Sequence, residues 1–244
     1  MAGITYELHL HSCLSPCGDA EMTPASIAGM AMLNGVRVAA LTDHNTCKNC
    51  PAFFAACNNY GVVPIPGMEL TTMEEIHVVC LFYSLDDAMT FDRFIESHRM
   101  RVKNCPDIFG EQLIMNSEDE IIGHEDDLLI MATDLDLTSA VEAVRAHGGV
   151  AFPAHIDKQS NGLLGILGIF PDDPEFHTVE VFDMANLEKC RGLCPNLDSM
   201  VVVSNSDAHQ LESMRLEPPT LESVPDNDDP VILRRAVLDY LGGS

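Results

Sequence analysis

Histidine and carboxylate side chains recur in this chain at the ends of short apolar runs. The first run, YELHLHSC, carries His9 and His11 two residues apart, so a strand would place both imidazoles on one face, together with Glu7. The corresponding residues of the later runs are Asp43, His44, Glu69, His77, His155, Asp207 and His209. Imidazole and carboxylate together are the usual ligands of zinc, manganese and iron. Their number predicts two or three metal ions that share a bridging carboxylate, an arrangement used to hydrolyse phosphate esters.

Seven short apolar, β-branched runs predict the strands that would carry these residues. They lie near residues 4–10, 36–41, 62–66, 76–82, 149–153, 178–182 and 200–204. Helical patterns lie between several of them and have start residues, at Thr23 with Pro24, at Thr138 or Ser139, and at Asp229 with Pro230. Strands that alternate with helices predict a parallel α/β fold, and seven strands favour a barrel over an open sheet. The carboxyl ends of parallel strands face one side, so the polar side chains should converge there.

Residues 98–134 interrupt this alternation with charge clusters and turn residues. We predict that they form an insertion or lid on one domain that spans residues 1–244, because this length is enough for a single large core.

The composition limits the classes of partner and compartment. A net charge of −25 repels nucleic acid, so long nucleic acids are predicted to be unlikely partners. No apolar run is long enough to span a membrane, and the N-terminus does not resemble a signal peptide. Nine cysteines, an odd number, predict reduced thiols and a cytoplasmic protein.

Five short motifs, taken in order, resemble those of the PHP (polymerase and histidinol phosphatase) family of metal-dependent phosphoesterases. They are HLHS, TDHN, GMEL followed by IHV, PAH, and SDAH, and the match runs from residue 6 to about residue 210. The resemblance implies a distorted seven-stranded (β/α) barrel, which agrees with the number of strands predicted from periodicity.

The resemblance also implies three metal sites, occupied by manganese, iron or zinc. The ligand sets are His9, His11, Glu69 and Asp207; Glu69, His77 and His155; and Asp19, His44 and His209. Glu69 would bridge the first two ions, and Glu69, Asp207 and His209 would act in catalysis.

Two carboxylates near these motifs allow more than one interpretation. Asp19 lies in the loop SCLSPCGDAEMTP, where Cys17 or Glu21 could take its place as a ligand. Asp43 precedes His44 and is expected to orient a ligating imidazole, or to cap the next element, rather than to bind metal itself.

The expected reaction is hydrolysis of a small-molecule phosphate ester, such as a nucleotide or sugar phosphate. A metal-bridged hydroxide would attack phosphorus while the metal ions stabilise the developing charge. A cationic side chain should bind the phosphate; Lys158, three residues after His155, is the first candidate, and Arg215 is another. Further candidates at the edge of the insertion are Arg99, Arg101 and Lys103.

Four cysteines near the predicted site provide an alternative function. Cys13 and Cys17 follow the first strand, and Cys47 and Cys50 follow the second. Neighbouring strands could bring the four thiols together to hold zinc or an iron–sulfur cluster. The chain would then be a metal-binding or redox-sensing module.

Overall fold

The computed structural model describes residues 3–243, in which strands and helices alternate along much of the chain. The strands are β1 (Ile4–Glu7), β2 (Val38–Leu41), β3 (Val63–Thr71), β4 (His77–Phe82), β5 (Leu113–Met115), β6 (Ile121–His124), β7 (Gly149–Pro153), β8 (Thr178–Glu180), β9 (Val201–Val203) and β10 (Thr220–Leu221). The helices are α1 (Pro24–Leu33), α2 (Cys50–Tyr60), α3 (Leu85–Glu96), α4 (Pro106–Phe109), α5 (Leu137–Ala146), α6 (Leu163–Leu167), α7 (Leu187–Leu193) and α8 (Pro230–Gly242). Each of the seven segments predicted as strands overlaps an observed strand, and β3 extends five residues beyond the predicted 62–66. The sequence patterns do not predict β5, β6 or β10.

The main sheet is a curled half-barrel of six strands in the order β10-β1-β2-β3-β4-β7. The strands β8 and β9 form a separate parallel pair, and β5 and β6 form an antiparallel hairpin. The α/β class is therefore as predicted, but the hydrogen bonds do not join seven strands into one closed barrel.

The strand β4 departs from the parallel arrangement that alternation predicts. It pairs antiparallel with both β3 and β7, while β1, β2 and β3 are mutually parallel. Only residues 72–76 separate β3 from β4, and a parallel connection needs a dozen residues or more. As a result, the first residue of β4, His77, lies opposite Thr71 at the last position of β3.

Both faces of the sheet are buried, which explains why its strands read as continuous apolar runs. All four residues of β2 and all nine of β3 are buried. One face packs against α1, α2, α3 and α5, and the other packs against α8. Within residues 3–243, no helix is both long and apolar enough to cross a membrane.

Three helices begin at or near the predicted residues. The Thr23 side chain caps α1 and that of Asp229 caps α8, each followed by proline. Helix α5 begins slightly earlier than predicted, because its capping side chain is that of Asp136.

The predicted insertion contains α4, β5 and β6, and it contacts the loops that follow β1 and β2. The backbone N–H of Leu113 donates to the carbonyl of Cys13 over 2.9 Å. The Asn49 side chain binds the strand β5 at both ends, through Leu113 O at 3.1 Å and Met115 N at 2.9 Å. The segment is thus attached beside the predicted site; that residues 1–244 form one domain stays a prediction.

Candidate metal centre

The carboxylate of Glu69, in β3, lies at the centre of a cluster of five histidines. Its oxygens are 3.2 Å from His9 Nε2, 3.2 Å from His11 Nε2, 3.1 Å from His44 Nδ1, 2.8 Å from His77 Nδ1 and 3.0 Å from His155 Nε2. The Asp207 carboxylate adds a second acid, with Oδ1 3.4 Å from His9 and 3.2 Å from His11. These side chains come from positions up to 200 residues apart, and the strand ends bring them together as the sequence predicts.

The backbone is strained at two of these residues. His155, after β7, has φ of 29°, and Asp207, after β9, has φ of 50°. Residues other than glycine rarely adopt positive φ, and such strain persists where the surrounding structure enforces it, often at functional sites. Next to the site, Asn45 also has positive φ, at 51°.

Unpaired buried polar atoms are concentrated in this cluster. Within residues 3–243, eleven buried side-chain nitrogen or oxygen atoms have no hydrogen-bond partner. Six of them are His9 Nε2, His11 Nε2, His44 Nδ1, His77 Nε2, His155 Nδ1 and Asp207 Oδ1. Leaving such groups unpaired is costly, and divalent cations would satisfy those that face the two carboxylates. The donor set of imidazole and carboxylate therefore fits zinc, manganese or iron.

The described residues contain three groups of side chains whose ligand atoms lie within 4.8 Å of one another. These groups are His9, His11, Glu69 and Asp207; His44, Glu69 and His77; and His11, His44 and His209. The first group equals one of the ligand sets that the family resemblance implies. The other two differ from the implied sets in one member each, since His44 takes the place of His155 and His11 takes the place of Asp19.

The structure does not bring Asp19 into the cluster. Asp19 is exposed, and its Oδ1 accepts a hydrogen bond from the backbone N–H of Glu21 over 2.8 Å. Its own N–H donates to the carbonyl of His209, so Asp19 touches the site through its backbone and not through its carboxylate. Of the two alternatives, Glu21 is also exposed, whereas Cys17 lines the cavity above the cluster.

The cluster holds both carboxylates in their charged form. Burial by itself would raise the pKa of Glu69, but the surrounding histidines, foremost His77 and His9, outweigh it and hold that pKa well below its usual range. The pKa of Asp207 is lowered as well, because the charges of His9 and His11 overcome the effect of burial. Ionised carboxylates are the form that binds a metal ion.

The histidines divide into two kinds. Burial would lower the pKa of His11, but the carboxylates of Asp207 and Glu69, each 3.2 Å from its Nε2, outweigh it and raise that pKa to about 9. Burial dominates at His44 and lowers its pKa well below the usual range, and burial with the charge of His11 lowers the pKa of His209 to about 4. In the absence of a metal ion, protons on histidines with a raised pKa, such as His11, therefore offset the negative charge of the two carboxylates.

Glu180, at the end of β8, orients the cluster, although no motif in the sequence predicts this role. This fully buried carboxylate lies 2.9 Å from His9 Nδ1 and also accepts from the backbone N–H of His155 over 2.9 Å. Its other oxygen accepts from Asn205 Nδ2 over 2.8 Å. A carboxylate bound to one ring nitrogen of a histidine fixes the direction of the second ring nitrogen, and here it directs His9 Nε2 towards Glu69. The indication available in the sequence is an acidic residue inside the apolar run TVEVF.

Asp43 acts on the cluster through a serine. Its carboxylate accepts from the backbone and side chain of Ser12 and from Ser15 Oγ, over 2.6–2.8 Å. Ser15 Oγ in turn lies 3.0 Å from His11 Nδ1 and accepts from the backbone N–H of His44. This arrangement agrees with the prediction that Asp43 orients an imidazole.

A cavity of about 260 Å³ opens onto the cluster and includes Lys158. Lys158 Nζ donates to Asp207 Oδ2 over 2.6 Å and lies 4.2 Å from the centre of the Phe182 ring. A larger cavity of about 440 Å³ near Arg145 and His177 contains none of the clustered ligands. The chemistry of the lining therefore identifies the site better than its size does.

The other predicted cations do not face this cavity. The Arg215 guanidinium donates to the carbonyls of Ser204 and Asn205, over 3.2 and 2.8 Å, and so holds the segment that leads to Asp207. The cations at the edge of the insertion pair with its own acids, Arg99 with Glu125, Arg101 with Asp127, and Lys103 with Asp126.

The four cysteines do not gather into a metal site. Cys47 and Cys50 are buried, and both thiols donate to the carbonyl of Gly67, over 3.2 and 3.4 Å. Cys13 faces the carbonyl of Leu113. Among residues 3–243, the groups close enough to share a metal ion contain histidine, glutamate and aspartate but no cysteine. The alternative of a cysteine-held zinc or iron–sulfur cluster therefore finds no support in the structure.

Comparison with proteins of known structure gives the same fold. A Bifidobacterium adolescentis protein described as a metal-dependent phosphoesterase aligns with a TM-score of 0.60 and 16% identity, over 98% of this chain and 96% of that one. A lesion-specific endonuclease from Pyrococcus furiosus, PfuEndoQ, aligns with a TM-score of 0.57 and 19% identity over 85% of this chain. This chain covers 49% of that endonuclease, about half its length.

Comparison of sequences identifies the family. A 5'-3' exoribonuclease of Haemophilus influenzae is 25% identical in an alignment of 190 residues that covers 62% of this chain and 68% of that protein. The model of the PHP domain matches residues 7–171, more than half of the chain, and this range includes all the clustered histidines except His209. The chain therefore belongs to the PHP domain family.

Proposed function

We propose that the chain is a metal-dependent phosphoesterase that hydrolyses a small-molecule phosphate ester of the nucleotide or sugar phosphate class. The convergence of five buried histidines on Glu69, beside Asp207, carries this proposal. When bound there, two or three ions of manganese, iron or zinc would supply a water of lowered pKa and neutralise charge on the phosphoryl oxygens.

Glu69 is the proposed bridging ligand, because its two oxygens face different histidines. Oε1 faces His9, His77 and His155, whereas Oε2 faces His11 and His44. A carboxylate placed in this way can hold two cations at a short separation, as two-metal hydrolases require.

The remaining ligands follow from the same geometry. Asp207 completes the ligand set that contains His9 and His11. His209 belongs to a neighbouring set with His11 and His44, and its ring centre lies 4.1 Å from that of His11. Glu69, Asp207 and His209 remain the residues proposed for catalysis. Asp19 is left out of this proposal because its side chain is exposed.

Lys158 is the proposed phosphate-binding cation. Its ammonium is partly exposed in the cavity while it donates to Asp207, so it faces both a proposed metal ligand and the space where a phosphate would lie. An ammonium in this position would bind a phosphoryl oxygen and hold the ester in line for attack by water.

A second candidate substrate is the terminal nucleotide of a short nucleic acid. One relative is named an exoribonuclease and one structural neighbour an endonuclease, which weakens the prediction that long nucleic acid is an unlikely partner. The net charge of −25 and the small cavity favour a chain end or a mononucleotide over a long strand.

The test is a hydrolysis assay of the manganese-loaded protein with three substrates. These are a nucleoside 5'-monophosphate, a sugar phosphate, and a short oligoribonucleotide with a 5'-phosphate. Release of inorganic phosphate from either small ester, abolished by a chelator and by Glu69→Gln, supports the proposal. Release of mononucleotides from the oligoribonucleotide alone would favour the second candidate, and no metal-dependent release from any substrate would overturn both.

A further inference from the structure

The cavity above the metal cluster has one hydrocarbon side chain in its lining, as far as residues 3–243 show. That side chain is Ile130, which is 37% exposed and belongs to the insertion. The rest of the lining is ionisable or polar, including Lys158, Ser160 and Asn161. The neighbours of Ile130 do not share this position, since Leu129 is buried and neither Leu129 nor Met131 lines the cavity.

The backbone on both sides of Ile130 is fixed by one buried side chain. Asn45 Nδ2 donates to the carbonyls of Leu129 and Met131, over 2.8 and 2.9 Å. Asn45 Oδ1 accepts from the backbone N–H of Thr71 over 2.9 Å. Because Asn45 directly follows His44, the position of Ile130 is tied to that of a proposed metal ligand.

The insertion holds the same loop from its other side. Gln112 is buried, its Oε1 accepts from the N–H of Leu129, and its Nε2 donates to the carbonyls of Glu125 and Asp127. All these contacts measure between 2.7 and 2.9 Å. Ile130 is therefore an apolar contact at a fixed place, beside a site whose other groups are suited to a phosphate.

We propose that Ile130 determines specificity for the alcohol part of the phosphate ester, and that it selects esters whose alcohol is apolar or planar, such as an aromatic ring or a nucleobase-bearing group. Ligand sites commonly pair a few fixed polar groups with apolar contacts that choose among substrates. This inference rests on the proposed phosphoesterase function, since it assumes that the phosphate lies at the metal cluster.

The test measures binding rather than turnover, so that it does not depend on hydrolysis. Phenylphosphonate and methylphosphonate carry the same anionic group, and only the first has an apolar planar substituent. We would measure the Kd of each for the manganese-loaded protein by calorimetry, in the wild type, in Ile130→Ala and in Ile122→Ala. Ile122 is the matched control, because it is 65% exposed in the same insertion and does not line the cavity.

The expected result is that the wild type and Ile122→Ala bind phenylphosphonate about tenfold more tightly than methylphosphonate. Ile130→Ala should lose most of this preference while its Kd for methylphosphonate stays within about twofold. Equal binding of both compounds by the wild type, an unchanged preference in Ile130→Ala, or no binding of either compound would overturn the inference. Hydrolysis by the same preparations tests the proposed function separately.

Discussion

The buried carboxylate of Glu180 has three hydrogen-bond donors for its two oxygens, two of them from the histidine-bearing segments. In Glu180→Gln, one oxygen is replaced by an amide nitrogen, which donates but cannot accept, so either Asn205 or both His9 and the N–H of His155 lose their acceptor. We expect the affinity for manganese to fall about tenfold to a hundredfold. The measurement is a manganese titration of the metal-free variant.

The control for this variant is Glu188→Gln, since Glu188 is exposed on α7 and pairs only with Arg191 there. If Glu180→Gln binds manganese as tightly as this control does, Glu180 does not orient the ligands. A melting curve of each variant separates loss of metal from loss of fold.

Lys158 provides the second prediction for a single residue. Lys158→Ala should lower kcat/KM for a phosphate ester about tenfold to a hundredfold, because a charge-assisted hydrogen bond to phosphate is lost. Inhibition by inorganic phosphate should weaken by a similar factor. Lys103→Ala is the control, because Lys103 is 75% exposed and pairs within the insertion; equal effects of the two substitutions would argue against the role of Lys158.

The sequence predicted individual residues where their type and position are both distinctive. Histidines at strand ends met this condition, and the structure brings them together around Glu69. Asp19 could not be placed, because the turn that points its side chain towards Glu21 depends on local hydrogen bonds. Glu180 was missed because one acid in an apolar strand does not reveal which partner it faces.

The side chain of Asn45 holds the loop of the insertion that contains Leu129 and Met131. Asn45→Ala removes three hydrogen bonds, two of them buried and one partly buried, and places alanine at a positive φ. We expect the free energy of unfolding to fall by about 2–4 kcal/mol in a urea titration. The free energy of unfolding of Asn45→Gly should be about 1 kcal/mol higher than that of Asn45→Ala, because glycine tolerates this backbone conformation.

The control for the loop is Asn104→Ala, which removes one exposed hydrogen bond to Gly110 of the same insertion. This variant should lose less than about 1 kcal/mol. An Asn45→Ala protein as stable as this control would show that the insertion is held by other contacts.

Most elements of the sheet were predictable because buried strands and capped helices leave clear patterns in sequence. The direction of β4 and the separate pairing of β8 with β9 were not. Direction depends on the length of a connection, as the five residues between β3 and β4 show, and pairing depends on contacts between distant segments. The short strand β10 has only two residues and pairs with β1 from the far end of the chain, so no local pattern marks it.

For the whole molecule, the cluster predicts how metal and pH act together on stability. In the metal-free protein the pKa of His11 is raised to about 9, from about 6.5 in an unfolded chain. Between pH 6.5 and pH 9, His11 is therefore protonated in the folded state but not in the unfolded state. The stabilisation that this proton gives to the folded state is complete below pH 6.5 and is lost as pH rises towards 9. A metal ion bound at His11 would take the place of that proton, so its binding should strengthen as pH rises.

The gain in Tm on adding manganese should therefore increase from pH 6.5 to pH 9. Thermal melts of metal-free and manganese-loaded protein at several pH values measure this gain. A gain that is constant or decreases over this range would contradict the exchange of a proton for a metal ion at His11.

The central claim is that the histidine and carboxylate cluster binds the metal ions on which phosphate-ester hydrolysis depends. The most direct measurement purifies the protein without chelators and without oxygen, and determines manganese, iron and zinc per chain together with the rate of hydrolysis of a phosphate ester. The account predicts about two or three ions per chain, activity that disappears on chelation and returns with added metal, and a folded Glu69→Gln variant that lacks both. A protein that neither contains nor takes up metal ions would contradict it, as would activity that survives complete removal of metal.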